Sequence, residues 1–135
     1  MNPSTTREWL IVAAERASDA DALAGSRQRS HGAVYMAGFA IECSLKAYLQ
    51  SHHLKFPTSG REGHNLKALW AAREFRLGDL NDQTGHLTFF VTSWSTDIRY
   101  SASQADPVES TERVQAARAL TGWIQTRVRR RGLIG

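Results

Sequence analysis

Cysteine is almost absent from this 135-residue chain; the one example is Cys43. That excludes an internal disulfide framework and a multi-cysteine metal site. It also fits a reducing cytoplasm. No run of ~20 apolar residues occurs, so no membrane-spanning helix is expected. The opening MNPSTTREWL lacks the layout of a signal peptide. The sequence has no internal repeat, no low-complexity segment and no domain linker, and it is expected to form one domain over residues 1–135. A glycine-rich phosphate loop, Gly-x-Ser-x-Gly and His-Glu-x-x-His are all missing. His52 and His53 stand side by side without a nearby acid or cysteine, a weak pattern for metal. Neither a metal nor a cofactor is expected.

What is present is ordinary globular composition. Hydrophobic residues make up 41% and charged residues 22%, which argues against disorder. The net charge of +4 is compatible with a nucleic-acid partner without requiring one. Part of the excess is gathered in RVRRR, Arg127 to Arg131, which reads as a solvated helix end and would also suit a phosphate backbone.

The spacing of apolar residues is helical throughout. Thr5 to Glu8 reads as a capping box, followed by a helix to about Ala24. The second helix, from about Gln28 or Ser30 to His52, contains HGAVYMAGFAIECSLKAYLQ. Between Ala33 and Ile41 it is apolar on every side, the mark of a helix buried in the middle of a bundle. Gly32 and Gly38 fall inside it, each costing ~1 kcal/mol against alanine, and make sense where a neighbouring helix approaches closely. A loop spans Ser51 to Gly63. The third helix is short, capped by His64 or Asn65, and ends near Phe75. The fourth, about Gln83 to Asp97, carries Leu87, Phe90, Val91, Trp94 and Ile98 at helical spacing, although Gly85 blurs its start. Asp106, Pro107 and Glu109 announce a fifth helix that ends at Gly132. The expectation is an all-α, up-and-down bundle of four long helices and one short one. Trp9, Trp70, Trp94 and Trp123 sit at core spacings, and Cys43 reads as a small buried hydrophobe.

Glu42 and Lys46 lie four residues apart at the end of the apolar stretch, acid before base, so they share one helix face. The pair is either a structural strut or part of a polar site.

The order of AGFAIECSLKAYL, GHNLKAL and WSTDIRY resembles the HEPN domain (higher eukaryotes and prokaryotes nucleotide-binding). That family shows an A-x-E-x-x-L-K-A-L-like helix, then a glycine or threonine with His-Asp-Leu-x-x-Leu, then Arg-Tyr, often before proline. The matching positions are Ala40, Glu42, Leu45, Lys46 and Ala47, then Gly63, His64, Leu66 and Leu69, then Arg99 and Tyr100. The resemblance covers about Trp9 to Val128. It implies a helical bundle, commonly a dimer, from toxin–antitoxin, abortive-infection or nucleotide-handling systems, often beside a minimal nucleotidyltransferase. Ribonuclease members carry Arg-x(4–6)-His, and here the chain departs from them. Arg27 and His31 have three residues between them, Arg61 and His64 two, Arg76 and His86 nine, and Ser101 stands where proline is common. Metal-free RNA cleavage needs a general base and a charge stabiliser, and the obvious base is missing.

The expected function is therefore a HEPN-like nucleotide- or nucleic-acid-associated module without ribonuclease activity. Its ligand site would draw on Glu42, Lys46, His64, Arg99 and Tyr100. The alternative is a divergent ribonuclease in which His64 and Arg99 replace the lost pair. Either residue also has a structural reading: His64 as a helix cap, Arg99 closing the fourth helix near its negative end. A homodimer is expected, because the second helix has surplus apolar faces and Phe89 points away from the stripe of Phe90 and Trp94.

Overall fold

Thr5 starts the first helix by accepting the Glu8 backbone N–H on Oγ1 at 3.1 Å. The Glu8 carboxylate turns back to accept from the Thr5 hydroxyl and from Ser4, so the exposed N–H groups of the first turn are satisfied locally. From there α1 runs Thr6–Ser26. After it come α2 (Gly32–Ser51), α3 (Leu66–Ala71), α4 (His86–Thr92) and α5 (Pro107–Arg130), with short 3-10 turns at Leu77–Asp79 and Thr96–Tyr100. The structure is a computed structural model that describes residues 3–57, 63–72, 75 and 77–130. Arg61, Arg76, Arg131 and the expected helix end at Gly132 lie outside the described residues. Among the described residues there is no strand, and the protein is an all-α bundle. No helix among them is long and apolar enough to cross a membrane.

The second helix is the centre of the bundle. Every residue from Ala40 to Ala47 is buried, because α1 lies along one side, α5 along another, and α3 and the Thr96–Tyr100 turn close the rest. Ile41, Leu45, Leu66, Phe90, Leu120 and Ile124 are fully enclosed there, each contributing about 1.5–3 kcal/mol through removal of apolar surface from water. A smaller cluster of Trp9, Ala13, Cys43 and Ala47 seals the α1 side. At its C-terminus α2 stops with the Leu54 N–H on the Leu49 carbonyl and the His53 N–H on the Gln50 carbonyl. His53 takes the left-handed conformation, φ 58°, that this stop requires. The His-His pair thus serves as a helix terminator.

Close approach at the two glycines has two sources: at Gly32 the side chain of Leu23 in the neighbouring helix α1, as the spacing suggests, and at Gly38 an aromatic ring. The partner at Gly38 is the indole of Trp94, which lies against the bare α-carbon and donates Nε1–H to the Val34 carbonyl at 3.1 Å.

The fourth helix is shorter than its apolar spacing indicates: seven residues, His86–Thr92. Asp82 sets its start. One carboxylate oxygen accepts from the N–H groups of Gly85 and Leu87, the other from Thr88 at 2.8 Å, with Gly85 at φ 83° making the bend. Hydroxyl residues set its end. Thr92 bonds back to the Thr88 carbonyl, and Ser95 caps the following 3-10 turn through Asp97 N–H; such side chains compete with helix continuation. Burial pushes the Asp82 carboxyl up, but the hydrogen bonds it accepts outweigh that and hold it below the usual carboxylate range. A depressed carboxyl stabilises the fold above its unfolded value, near pH 4, and that support is lost as the pH falls through the folded value. Asp82→Ala is expected to lower stability by about 1 kcal/mol at pH 7. In urea melts, the gap from the parent should narrow on acidification below about pH 4.

One chain covers much of the apolar surface that suggested a second protomer. Ala40 to Ala47 of α2 are buried while Tyr35, Met36 and Phe39 are half-buried, and Phe89, also half-buried, packs on Phe90 with the Arg113 guanidinium 3.7 Å above its ring.

Candidate functional site

Tyr35, Phe39, Glu42 and Lys46 follow one another at helical spacing down one face of α2. This face meets the start of α1 and the residues leading into α3. Lys46 Nζ lies 3.0 Å from Glu42 Oε2, with side-chain exposures of 1% and 4%. Two charges taken so far from water are costly unless each finds a partner. Lys46 has the carboxylate on one side and the Trp9 ring, its centroid 5.0 Å away, on another. The second oxygen of Glu42 meets His64 Nδ1 at 2.8 Å.

His64 is free for that contact because Asn65, not His64, caps α3: its side chain accepts the Ala68 N–H at 3.2 Å. An ionised carboxylate only accepts, so Nδ1 carries a proton and Nε2 remains as the second polar atom of the ring. The His64 side chain is 32% exposed and stands edge-on to Phe39, centroids 5.5 Å apart. Glu42, Lys46 and His64 line a cleft of about 310 Å³ walled by Trp9, Tyr35 and Phe39. Trp9 is buried, and among the described residues its indole N–H has no acceptor. An unpaired buried donor costs about 1–3 kcal/mol.

Arg99 does not join the Glu42 carboxylate. Its Nη1 donates to the Tyr35 hydroxyl at 3.0 Å, and its guanidinium lies 4.8 Å from the Tyr100 ring centroid. Arg99 and His64 nevertheless line one cavity of about 630 Å³ with Trp94, Ser95 and Asp97. Tyr100 is 72% exposed and its ring contact is with Arg99. Of the five sequence candidates, then, Glu42, Lys46 and His64 form a contact chain, Arg99 shares a cavity with His64, and Tyr100 is exposed beside Arg99 without lining either cavity.

Tyr35, Phe39 and Trp9 were missed as site residues. The i, i+4, i+7, i+11 spacing from Tyr35 to Lys46 was the available signal, hidden because the whole helix is apolar. Cys43 shares the α2 face, but burial first, and the Glu42 charge second, push its thiol up to about 12, so it is no nucleophile at neutral pH. Among the described residues no group of three or more His, Cys, Asp or Glu is placed to hold a metal ion. At the end of α5, Arg127 stacks on Trp123, 3.2 Å from the ring centroid, which leaves Arg129 and Arg130 as the exposed cations there.

A buried ion pair that holds a half-exposed histidine in an aromatic-walled cleft can position a polar ligand, and it can lend a proton acceptor. No family model, curated protein or solved structure matches the chain.

Proposed function

We propose that this chain is a HEPN-like nucleotide- or nucleic-acid-associated binding and partner module, of the kind found in toxin–antitoxin or nucleotidyltransferase-linked systems, without ribonuclease activity of its own. One observation carries the reading: the buried Glu42–Lys46 pair spends its remaining carboxylate oxygen on orienting His64 in an aromatic cleft. A strut alone would need no exposed histidine. Tyr35 and Phe39, half-buried at the cleft, suit the flat face of a base. The resemblance of the Glu42–Lys46, His64 and Arg99–Tyr100 motifs supplies the family context. It also implies a bundle that is commonly a dimer, often beside a minimal nucleotidyltransferase, and the single cysteine fits a cytoplasmic setting.

A second reading, a divergent metal-independent ribonuclease, is favoured by the Glu42–His64 dyad and by Arg99 on the same cavity. There His64 Nε2 would take the 2′-hydroxyl proton while Arg99 offsets charge on the phosphate. Binding is preferred over cleavage because among the described residues His64 is the one imidazole lining that cavity. The reaction needs an acid for the departing 5′-oxygen as well as a base.

Calorimetric titration with nucleotides and short RNA, alongside incubation with mixed RNA, separates the readings. The expected result is saturable binding, weakened at least about tenfold in His64→Ala, with the RNA left intact. Absence of any nucleotide or RNA binding overturns the proposal. Cleavage lost in both His64→Ala and Arg99→Ala, with the fold retained, establishes the second reading instead. Sedimentation of the same sample tests assembly, since a species that stays at 15.0 kDa removes the homodimer.

A further inference from the structure

The α1–α2 corner holds a third cavity, of about 590 Å³, away from Glu42 and Lys46. Arg27, Arg29 and Arg99 line it with His31 and the hydroxyl residues Ser101 and Ser103, and no carboxylate is among the lining residues. The chain as a whole carries 13 acids against 17 lysines and arginines, so three arginines in one acid-free cavity depart from the general mixing of charge. Arg27 and Arg29 make no ion pair among the described residues, in contrast with Arg16, Arg113 and Arg118.

The frame behind these arginines is built. The Ala105 N–H donates to the Arg29 carbonyl at 2.9 Å. His31 Nε2 is 2.9 Å from the Ser103 carbonyl, and that acceptor requires the proton on Nε2. Arg99 is held by the Tyr35 hydroxyl. The Ser101–Gln104 segment is thereby strapped to the corner, and the cations converge on a backbone that needs little ordering when a ligand arrives.

We propose that this cavity is a phosphate subsite that takes a polyphosphate group. Guanidinium forks match phosphate oxygens in pairs, and several arginines around one concave volume match charge concentrated in one place. An RNA strand spreads a single charge per nucleotide along a path and would be met by a trail of cations. Tyr35 also lines the aromatic cleft, and Arg99 also lines the His64 cavity. In a nucleotide the polyphosphate would sit here, with the base on the far side of Tyr35. That last link rests on the function proposed above; the phosphate subsite itself does not.

Inorganic tripolyphosphate is the direct probe, read by calorimetry on the full chain at low salt. Binding is expected, and Arg27→Gln with Arg29→Gln should weaken it by about a hundredfold, tenfold for each charge-assisted contact. Both side chains are exposed, so circular dichroism should show the fold unchanged. Arg7→Gln with Lys55→Gln removes the same charge at the opposite end of the α1–α2 hairpin and should leave affinity within about twofold. A parallel titration with ATP identifies the source. Tighter binding than tripolyphosphate, lost in Phe39→Ala, marks a nucleotide; equal binding marks the polyphosphate group alone. Either supports the subsite, and only the first also supports the nucleotide reading. Absence of tripolyphosphate binding, equal weakening by both double variants, or binding of 5′-hydroxyl RNA alone overturns it.

Discussion

Lys46→Ala is expected to destabilise the protein by about 3–5 kcal/mol, a large share of the ~5–15 kcal/mol that holds a typical domain together. The cost does not come from losing a favourable ion pair. Removing the ammonium leaves the Glu42 carboxylate 3% exposed, with His64 as its remaining partner, and a carboxylate so far from water must be neutralised or solvated by opening the bundle. The vacated side-chain volume beneath Trp9 adds a cavity penalty. Replacing both charges together, Glu42→Met with Lys46→Met, removes the uncompensated ion and fills the space. That double variant should recover most of the lost stability in urea melts. The pair of experiments also separates strut from site. A double variant that folds yet no longer binds nucleotide assigns the ion pair to the cleft. One that folds and binds as before assigns it to the bundle alone. If Lys46→Ala is as stable as the parent, the pair is not buried in solution as it is here.

Gly38→Ala is expected to cost about 3 kcal/mol, the upper end of the usual overpacking penalty, although it adds a single carbon. A β-carbon on Gly38 would fall inside the Trp94 indole, against the ring atoms next to Nε1. Ala37 and Ala40 on either side are buried and hold the α2 backbone in place, so the indole must leave. With it goes the hydrogen bond to the Val34 carbonyl and the edge contact with Phe39, 5.7 Å between centroids. The consequence is readable beyond stability, because Phe39 carries the disturbance to His64. Trp94→Leu in the Gly38→Ala background makes room for the new methyl and should restore part of the loss, whereas Trp94→Leu alone should destabilise. A Gly38→Ala protein with unchanged stability would mean that the indole lies elsewhere.

These two positions mark the boundary between what was legible in the sequence and what was not. Three helix starts were legible because they are local. Thr5 with Glu8, Asn65 before Leu66 and Pro107 each satisfy or remove N–H groups within four residues. The central place of α2 was legible too, since a helix apolar on every face has nowhere to go but inside. The buried, inert state of Cys43 follows from that same burial. The Glu42–Lys46 pair was visible for the same reason of one helical turn.

Everything that turns these parts into a cleft is a contact between distant positions. Glu42 to His64 spans 22 residues, Val34 to Trp94 spans 60, and Tyr35 to Arg99 spans 64. Such pairings depend on how the links between helices run, and linkers carry little periodic signal. The length of α4 shows the same limit: apolar spacing continues to Ile98, but Asp82 and a series of hydroxyl side chains redirect the backbone at both ends. Arg27 and Arg29 belong to no motif, and nothing in the sequence joins them to Arg99. The folded chain alone brings them to one cavity, by strapping the segment before α5 onto the α1–α2 corner. Local hydrogen bonding and apolar pattern therefore determined an all-α bundle with α2 at its centre. Tertiary structure decided which polar side chains share a space, because that is set by close packing around α2 and by the path of the chain between helices.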